Sequence, residues 1–415
     1  MQYPYLTTLG RAIAMPYPKL LLLGVQLILT GCGHAEPADA EFAVHFGATF
    51  LPDKGATDVT IRLSQDNGAL RGYRFRAPPA RYQLVTDDGS AVQNAGYIDW
   101  QPPASGGTLR YRIGVDNKRG DGYDARMHAD WVLLRLDDLF PSATVRTVKG
   151  AQGESSMQLD GPANWRFETP YGNSTDTLVS IVGARKVPSP RGWLVGGEIG
   201  VRRDVISGRR VAIAAPQGSN FRRLDVLTFL RWTLPELTRA VPTLPERILI
   251  VGAPSSMWRG GLSAPGSLYL HVERPLVSEN ATSTLLHELM HIAGLHGARQ
   301  GADWIVEGMA ELYSLLVLRR SGGISTQRFD ATLTALAEWA ERENGKLTHP
   351  SKGADTAAAV LYLNKVANAL RTQGRSIDGL LAALLDGSDI SNERMHELLS
   401  ERLGAEHPLL AALPD

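Results

Sequence analysis

Two histidines four residues apart, with a glutamate directly after the first, can act together only on a helix, and His287-Glu288-Leu-Met-His291 constrains everything around it. Leu285, Leu289 and Ile292 recur at helical spacing, while Leu286, Met290 and Ala293 fill a second apolar stripe. The segment therefore reads as a helix buried on more than one side. Imidazoles inside such a helix need partners. His287 and His291 project from one face, one turn apart, so one nitrogen of each can reach a single metal ion. This is the H-E-x-x-H arrangement, in which the histidines hold Zn2+ and the glutamate, here Glu288, is the general base toward a zinc-activated water. Ser278, Asn280 and Thr282, just upstream, are candidate caps for the helix.

A catalytic zinc needs a third protein ligand. His296 is the first candidate, but it falls one residue short of the position used in three-histidine sites, which here is Gly297. Glu307 is the better one. It begins a second apolar-periodic helix, and Glu311 follows one turn later on the same face. Glu307 is then the metal ligand, and Glu311 holds a liganding histidine by its other nitrogen. Trp304 and Tyr313 on the same stretch read as helix-packing aromatics.

The rest of the chain bounds where such a site can act. Lys plus Arg and Asp plus Glu both number 43, which gives no basis for nucleic-acid binding. The single cysteine, Cys32, excludes an internal disulfide and any cysteine-rich metal site. It closes an apolar run, Leu20 to Thr30, preceded by Lys19, which reads as an export signal too short to be a transmembrane span. Leu29-Thr30-Gly31-Cys32 resembles the bacterial lipobox, which implies a signal peptide over 1–31 and a lipid on Cys32. Gly33 after the cysteine then favours the periplasmic face of the outer membrane.

From about Glu41 to Gln217 short alternating runs are separated by Gly, Pro, Asn and Asp, the signature of an all-β region. Asp116 to Asp124 is rich in oxygens but misses the calcium-loop spacing and reads as a solvated loop. Beyond it come a helical pattern from Leu224, a strand at Arg247–Ala253, and an extended segment at 266–272, read as the edge strand a peptide would lie along. After the histidine helix the chain is helical, with segments at Arg328 to Arg342, Ala354 to Arg371, and from near Ser376 and Ser391. The fold class is α+β and multidomain: a β-rich region over 32–217, then a catalytic domain over 218–415 with a small mixed α/β lobe and an α-helical lobe.

His287-Glu-Leu-Met-His291 followed by Trp304-Ile-Val-Glu307-Gly-Met-Ala-Glu311 resembles the thermolysin-like gluzincins, specifically the aminopeptidase N and glycyl aminopeptidase families. The resemblance is specific over 284–313 and extends in order of elements over roughly 40–400. It implies a zinc metallopeptidase with ligands His287, His291 and Glu307, base Glu288, and a peptide or protein substrate. Three departures stand out. The fifteen residues between His291 and Glu307 are fewer than is usual in the aminopeptidase N family. Within Arg259-Gly260-Gly261-Leu262-Ser263, Ser263 stands where those families place a glutamate for the substrate's free amine, so aminopeptidase specificity does not carry over; Gly260, Gly261 and Ser263 keep only the strand's backbone role. No tyrosine precedes Lys352-Gly353, where the families place an oxyanion donor. His349 is a candidate replacement, its N–H able to do that work, or a surface histidine. The departures also motivate a second reading: a zinc-stabilised, peptidase-like lipoprotein acting in binding or assembly.

Overall fold

The first strand shows why the N-terminal half is β. Along Glu41–Leu51 the side chains of Phe42, Val44, Phe46, Ala48 and Phe50 alternate inward and are buried, the period of two that a half-buried strand imposes. This strand lies inside a six-stranded sheet, parallel to Gln152–Asp160 and antiparallel to Ala56–Ser64. A second six-stranded sheet and a four-stranded sheet complete the β-rich region, around a core that includes Phe46, Phe75, Tyr111, Phe140 and Phe167. The computed structural model describes residues 41–174, 179–183, 185–348, 350–387 and 389–414. The expected signal peptide over 1–31, Cys32 and His349 lie outside the described residues. Among the described residues no helix is long and apolar enough to cross a membrane.

A five-stranded sheet positions the histidine helix. Its strands are β1 (Ile199–Ile206), β2 (Arg209–Pro216), β3 (Arg247–Ala253), β4 (Gly261–Ala264) and β5 (Ser267–His271), in the spatial order β1-β2-β3-β5-β4. Helix α1 (Arg223–Ala240) is the crossover between the parallel strands β2 and β3. Strand alternation divides the sheet between two cores. Val211, Ile213, Ile248, Ile250, Leu268 and Leu270 join the helices, while Ala212, Ala214, Leu249, Val251 and Tyr269 pack on Trp131, Leu133, Trp193 and Val195 of the β-rich region. The sheet thus draws strands from both sides of residue 217, because an alternating run such as Arg210 to Ala215 looks the same whichever sheet it joins.

The expected edge strand needs correction. Residues 267–271 form β5, an inner strand paired with both β3 and β4, and the edge is β4. After the reversal at Pro265-Gly266 the chain turns inward to extend the parallel pairing begun by β2 and β3. Gly261 and Ser263 lie on the true edge, and Gly260 directly precedes it.

Helix α2 (Thr284–Ile292) carries both histidines, with Leu285, Leu286, Leu289 and Met290 all fully buried. Its cap is Ser283, whose hydroxyl accepts the Leu286 N–H; Ser278 and Thr282 hydrogen-bond each other instead, one turn upstream. Ser283→Ala is expected to cost about 1 kcal/mol, visible as a lower melting temperature, whereas Asn280→Ala should leave the melt unchanged. The remaining helices are α3 (Asp303–Arg320), α4 (Thr326–Arg342), α5 (Ala354–Thr372), α6 (Ile377–Leu385) and α7 (Asn392–Leu403). Ser325, Ser376 and Ser391 cap α4, α6 and α7 through their hydroxyls.

Candidate metal centre

Helix α3 is apolar almost all round, and from Trp304 to Leu318 its only charged residues are Glu307 and Glu311. Two carboxylates one turn apart on a helix this buried require cationic or donor partners. They find them on α2. His287 Nδ1 donates to Glu311 Oε2 (2.9 Å), and His287 Nε2 faces Glu307 Oε2 at 3.3 Å. His291 Nε2 lies 3.1 Å from His287 Nε2 and 3.7 Å from Glu307 Oε1.

The second histidine is oriented by the way its helix ends. Gly294 takes a φ of +113°, a backbone conformation that favours glycine, and the chain turns back on itself. Leu295 then offers its carbonyl to His291 Nδ1 (2.7 Å). A carbonyl only accepts, so Nδ1 carries the hydrogen and Nε2 presents its lone pair. His296 is carried into solvent by the same turn and takes no part in the cluster.

Trp304 anchors the start of α3: it is fully buried, its indole N–H donates to Asn392 Oδ1 (3.0 Å), and its ring stands edge-on to Tyr362. Tyr313 donates to Asp378 Oδ1 (2.7 Å). Both aromatics therefore pack helices, as the sequence suggests. Asp303 accepts the Ser351 N–H (2.8 Å) and draws the Ser351-Lys352-Gly353 turn toward this end of α3.

Electrostatically the pocket calls for positive charge. Burial alone would depress the His287 pKa, but hydrogen bonds to Glu307 and Glu311, with Glu288 adding to the field, push it up to about 10. Burial likewise opposes ionisation of Glu307, yet His287, His291 and Lys352 together hold its carboxyl below the usual range. A proton on His287 supplies the charge in the metal-free arrangement. A dication at the same point would satisfy both lone pairs and the carboxylate at once.

The donor set fits zinc. Two imidazoles and one carboxylate form a ligand set that zinc hydrolases use, and each histidine's second nitrogen is engaged. Donors around a tetrahedral zinc at ~2.1 Å stand roughly 3.4 Å apart, and the separations here are 3.1, 3.3 and 3.7 Å. His287, His291 and Glu307 are the group of possible ligands found among the described residues. Glu311→Gln is expected to weaken zinc binding by about 10–100-fold, measured by competition with a chromogenic chelator.

Glu288, between the two histidines in sequence, is nearly buried, and its Oε2 accepts the Ser263 N–H of β4 at 2.7 Å. The close approach depends on Gly261: a Cβ there would come within 2.5 Å of Thr284 Cγ2 and 3.1 Å of Glu288 Cγ. Sequence reasoning placed Gly261 and Ser263 beside the substrate but missed this backbone link to Glu288. It also missed the Leu295 carbonyl, although Gly294 directly after the helix was a signal for it.

No protein-family model and no curated protein sequence matches the chain. Its fold does have known counterparts. An aminopeptidase N family protein from Idiomarina loihiensis superposes with a TM-score of 0.62 at 12% identity, covering 87% of this chain and 71% of that one. Native leukotriene A4 hydrolase from the yeast Saccharomyces cerevisiae matches in two structures. Their TM-scores are 0.54 and 0.53, at 12% and 11% identity, covering 91% and 92% of this chain and 69% of each of those. At these identities the likeness concerns the fold: a multidomain α+β architecture of the aminopeptidase N type, β-rich first and helical at the end.

Proposed function

We propose that this chain is a zinc-dependent metallopeptidase that hydrolyses peptide bonds, held at the bacterial cell envelope by a lipid on Cys32. The observation that carries the reading is the convergence of His287, His291 and Glu307 at zinc-like spacings, beside a glutamate tied to an open strand edge. The fold shared with an aminopeptidase N family protein supports it. Zinc, when bound by these three residues, supplies Lewis acidity, which polarises a carbonyl and acidifies a water.

The chain's own residues do the rest. The antiparallel register of β4 on β5 sets Gly260 opposite His271, whose N–H bonds the Gly260 carbonyl, so the Gly261 N–H and carbonyl and the Ser263 carbonyl turn to the free edge, while the Ser263 N–H on that side is taken by Glu288. An extended peptide can pair there as an added strand. Glu288, fixed by Ser263 N–H, takes the proton of the attacking water and returns it to the leaving amine. With Ser263 rather than a carboxylate on this strand, no charged group at that position recognises a free amino terminus. His349 remains the candidate oxyanion donor. The envelope location and lipid anchor rest on the sequence of the export signal.

The test is zinc content and turnover together. Purified protein is expected to hold about one zinc per chain and to cleave members of an unbiased peptide library. Mass spectrometry of the products reports whether the cut is terminal or internal. A zinc-loaded protein that cleaves nothing would sink the peptidase reading and leave the zinc-stabilised binding protein.

A further inference from the structure

The run Asp116 to Asp124, read from sequence as a solvated loop, is in fact most of a hairpin, Asn117–Arg119 paired with Gly122–Met127, and its tip is docked. It reaches from the β-rich region onto the turn that leads into β4. The Tyr123 carbonyl accepts the Trp258 N–H (2.9 Å), and the Arg119 guanidinium stacks on the Trp258 ring at 4.0 Å, with Asp124 3.6 Å from that guanidinium. The hairpin sits so close that a Cβ on Gly122 would lie 2.6 Å from the Trp258 nitrogen and 2.7 Å from Met257 C and Trp258 Cα. These are backbone atoms, which cannot swing aside.

Trp258 passes this contact on to the edge strand. Its carbonyl accepts the Tyr269 hydroxyl and the Gly260 N–H (3.0 Å), and its ring covers Gly260. Gly260 in turn accepts the His271 N–H (3.0 Å), the rung next to the β4–β5 ladder. Farther along, Trp193 of the β-rich region donates its indole N–H to the Leu262 carbonyl (2.9 Å). Strand β4 has four residues, all partly exposed, and pairs with β5 alone among the described strands. A strand that short and one-sided is weakly held by its own ladder.

We propose that the Asn117–Met127 hairpin, acting through Trp258, sets the position of β4 and hence the affinity of the peptide that pairs with it. Trp258, Arg119 and Gly122 are positioning residues. The statement about peptide affinity rests on the peptidase reading; the statement about the strand does not.

The test uses full-length, zinc-supplemented protein and two variants outside the metal centre, Gly122→Ala and Arg119→Ala, with Arg119→Lys as a rescue that keeps the cation. Forcing a methyl into the contact is expected to speed amide hydrogen exchange at 262–264 by about tenfold. Removing the stacked cation should speed it by about threefold, and Arg119→Lys should restore most of that. Exchange in α2 should not change. With peptide as substrate, KM should rise by the same factors, and kcat should fall by a smaller factor, since the Ser263 N–H that holds Glu288 travels with β4. Unchanged exchange at 262–264 in both folded variants overturns the proposal, and so does acceleration spread evenly over the molecule, which would make the hairpin merely stabilising. If wild type cleaves no peptide but the local exchange pattern holds, the peptidase reading falls and the positioning of β4 stands.

Discussion

Glu288→Gln is expected to lower peptide hydrolysis by about a hundred- to ten-thousandfold, the range associated with loss of a positioned general base. Zinc content and melting temperature should stay at the wild-type level. The substitution is nearly isosteric, and its amide oxygen can still accept the Ser263 N–H that Glu288 Oε2 accepts at 2.7 Å, so β4 keeps its place against α2. None of the three donors is touched. Only the capacity to take a proton is lost. Glu311→Gln gives the contrasting pattern, because Glu311 acts on His287 Nδ1 and thus on the metal. There zinc content and activity should fall together and recover together when zinc is added in excess. Steady-state kinetics on one cleaved peptide, with metal analysis of the same samples, separates the two patterns. Activity in Glu288→Gln within a few-fold of wild type would remove Glu288 from the proton-transfer role.

The contrast between these variants also marks what a sequence can reveal. The histidine pair, its glutamate and the two carboxylates of α3 were legible because helical spacing converts directly into a shared face, and charged or imidazole groups on two apolar helices must answer one another or a metal. The order of the later helices was legible for the same reason, two of them from starts placed near Ser376 and Ser391. What could not be read was set by partners distant in sequence. The inward turn of β5 depends on pairing with β3, which ends at Ala253, before β4 and the reversal at Pro265-Gly266 have intervened. The docking of the Asn117–Met127 hairpin depends on Trp258, and nothing in an acid-rich stretch announces that a backbone will press against its glycine. Backbone donors and acceptors were likewise invisible: Ser263 N–H on Glu288 and the Leu295 carbonyl on His291 belong to no side-chain motif.

Removing the metal should produce a stability difference that grows with pH. In the metal-free arrangement the His287 pKa stands at about 10, raised over its ordinary 6.5 by Glu307 and Glu311 despite burial. A group whose pKa is raised on folding contributes stability that is complete below the unfolded value and is lost as pH rises through the folded one. The chelated protein should therefore lose melting temperature progressively from about pH 6.5 toward pH 10, as the proton that balances Glu307 and Glu311 departs. Zinc reverses the dependence, since its ligands must be deprotonated to bind and protons compete with it as pH falls. At a thousandfold excess over Kd, zinc is worth about 4 kcal/mol, roughly 5 °C in a chain of this size. The melting temperature with zinc minus that with chelator, followed from about pH 6 to 9.5, should widen, and taking the difference cancels every titration elsewhere in the molecule. Calorimetric titration at about pH 8 in two buffers of unlike ionisation enthalpy should show about one proton released per zinc bound. A gap that narrows as pH rises, or zinc binding with no proton released, would mean that the ion does not take the place of the His287 proton among His287, His291 and Glu307.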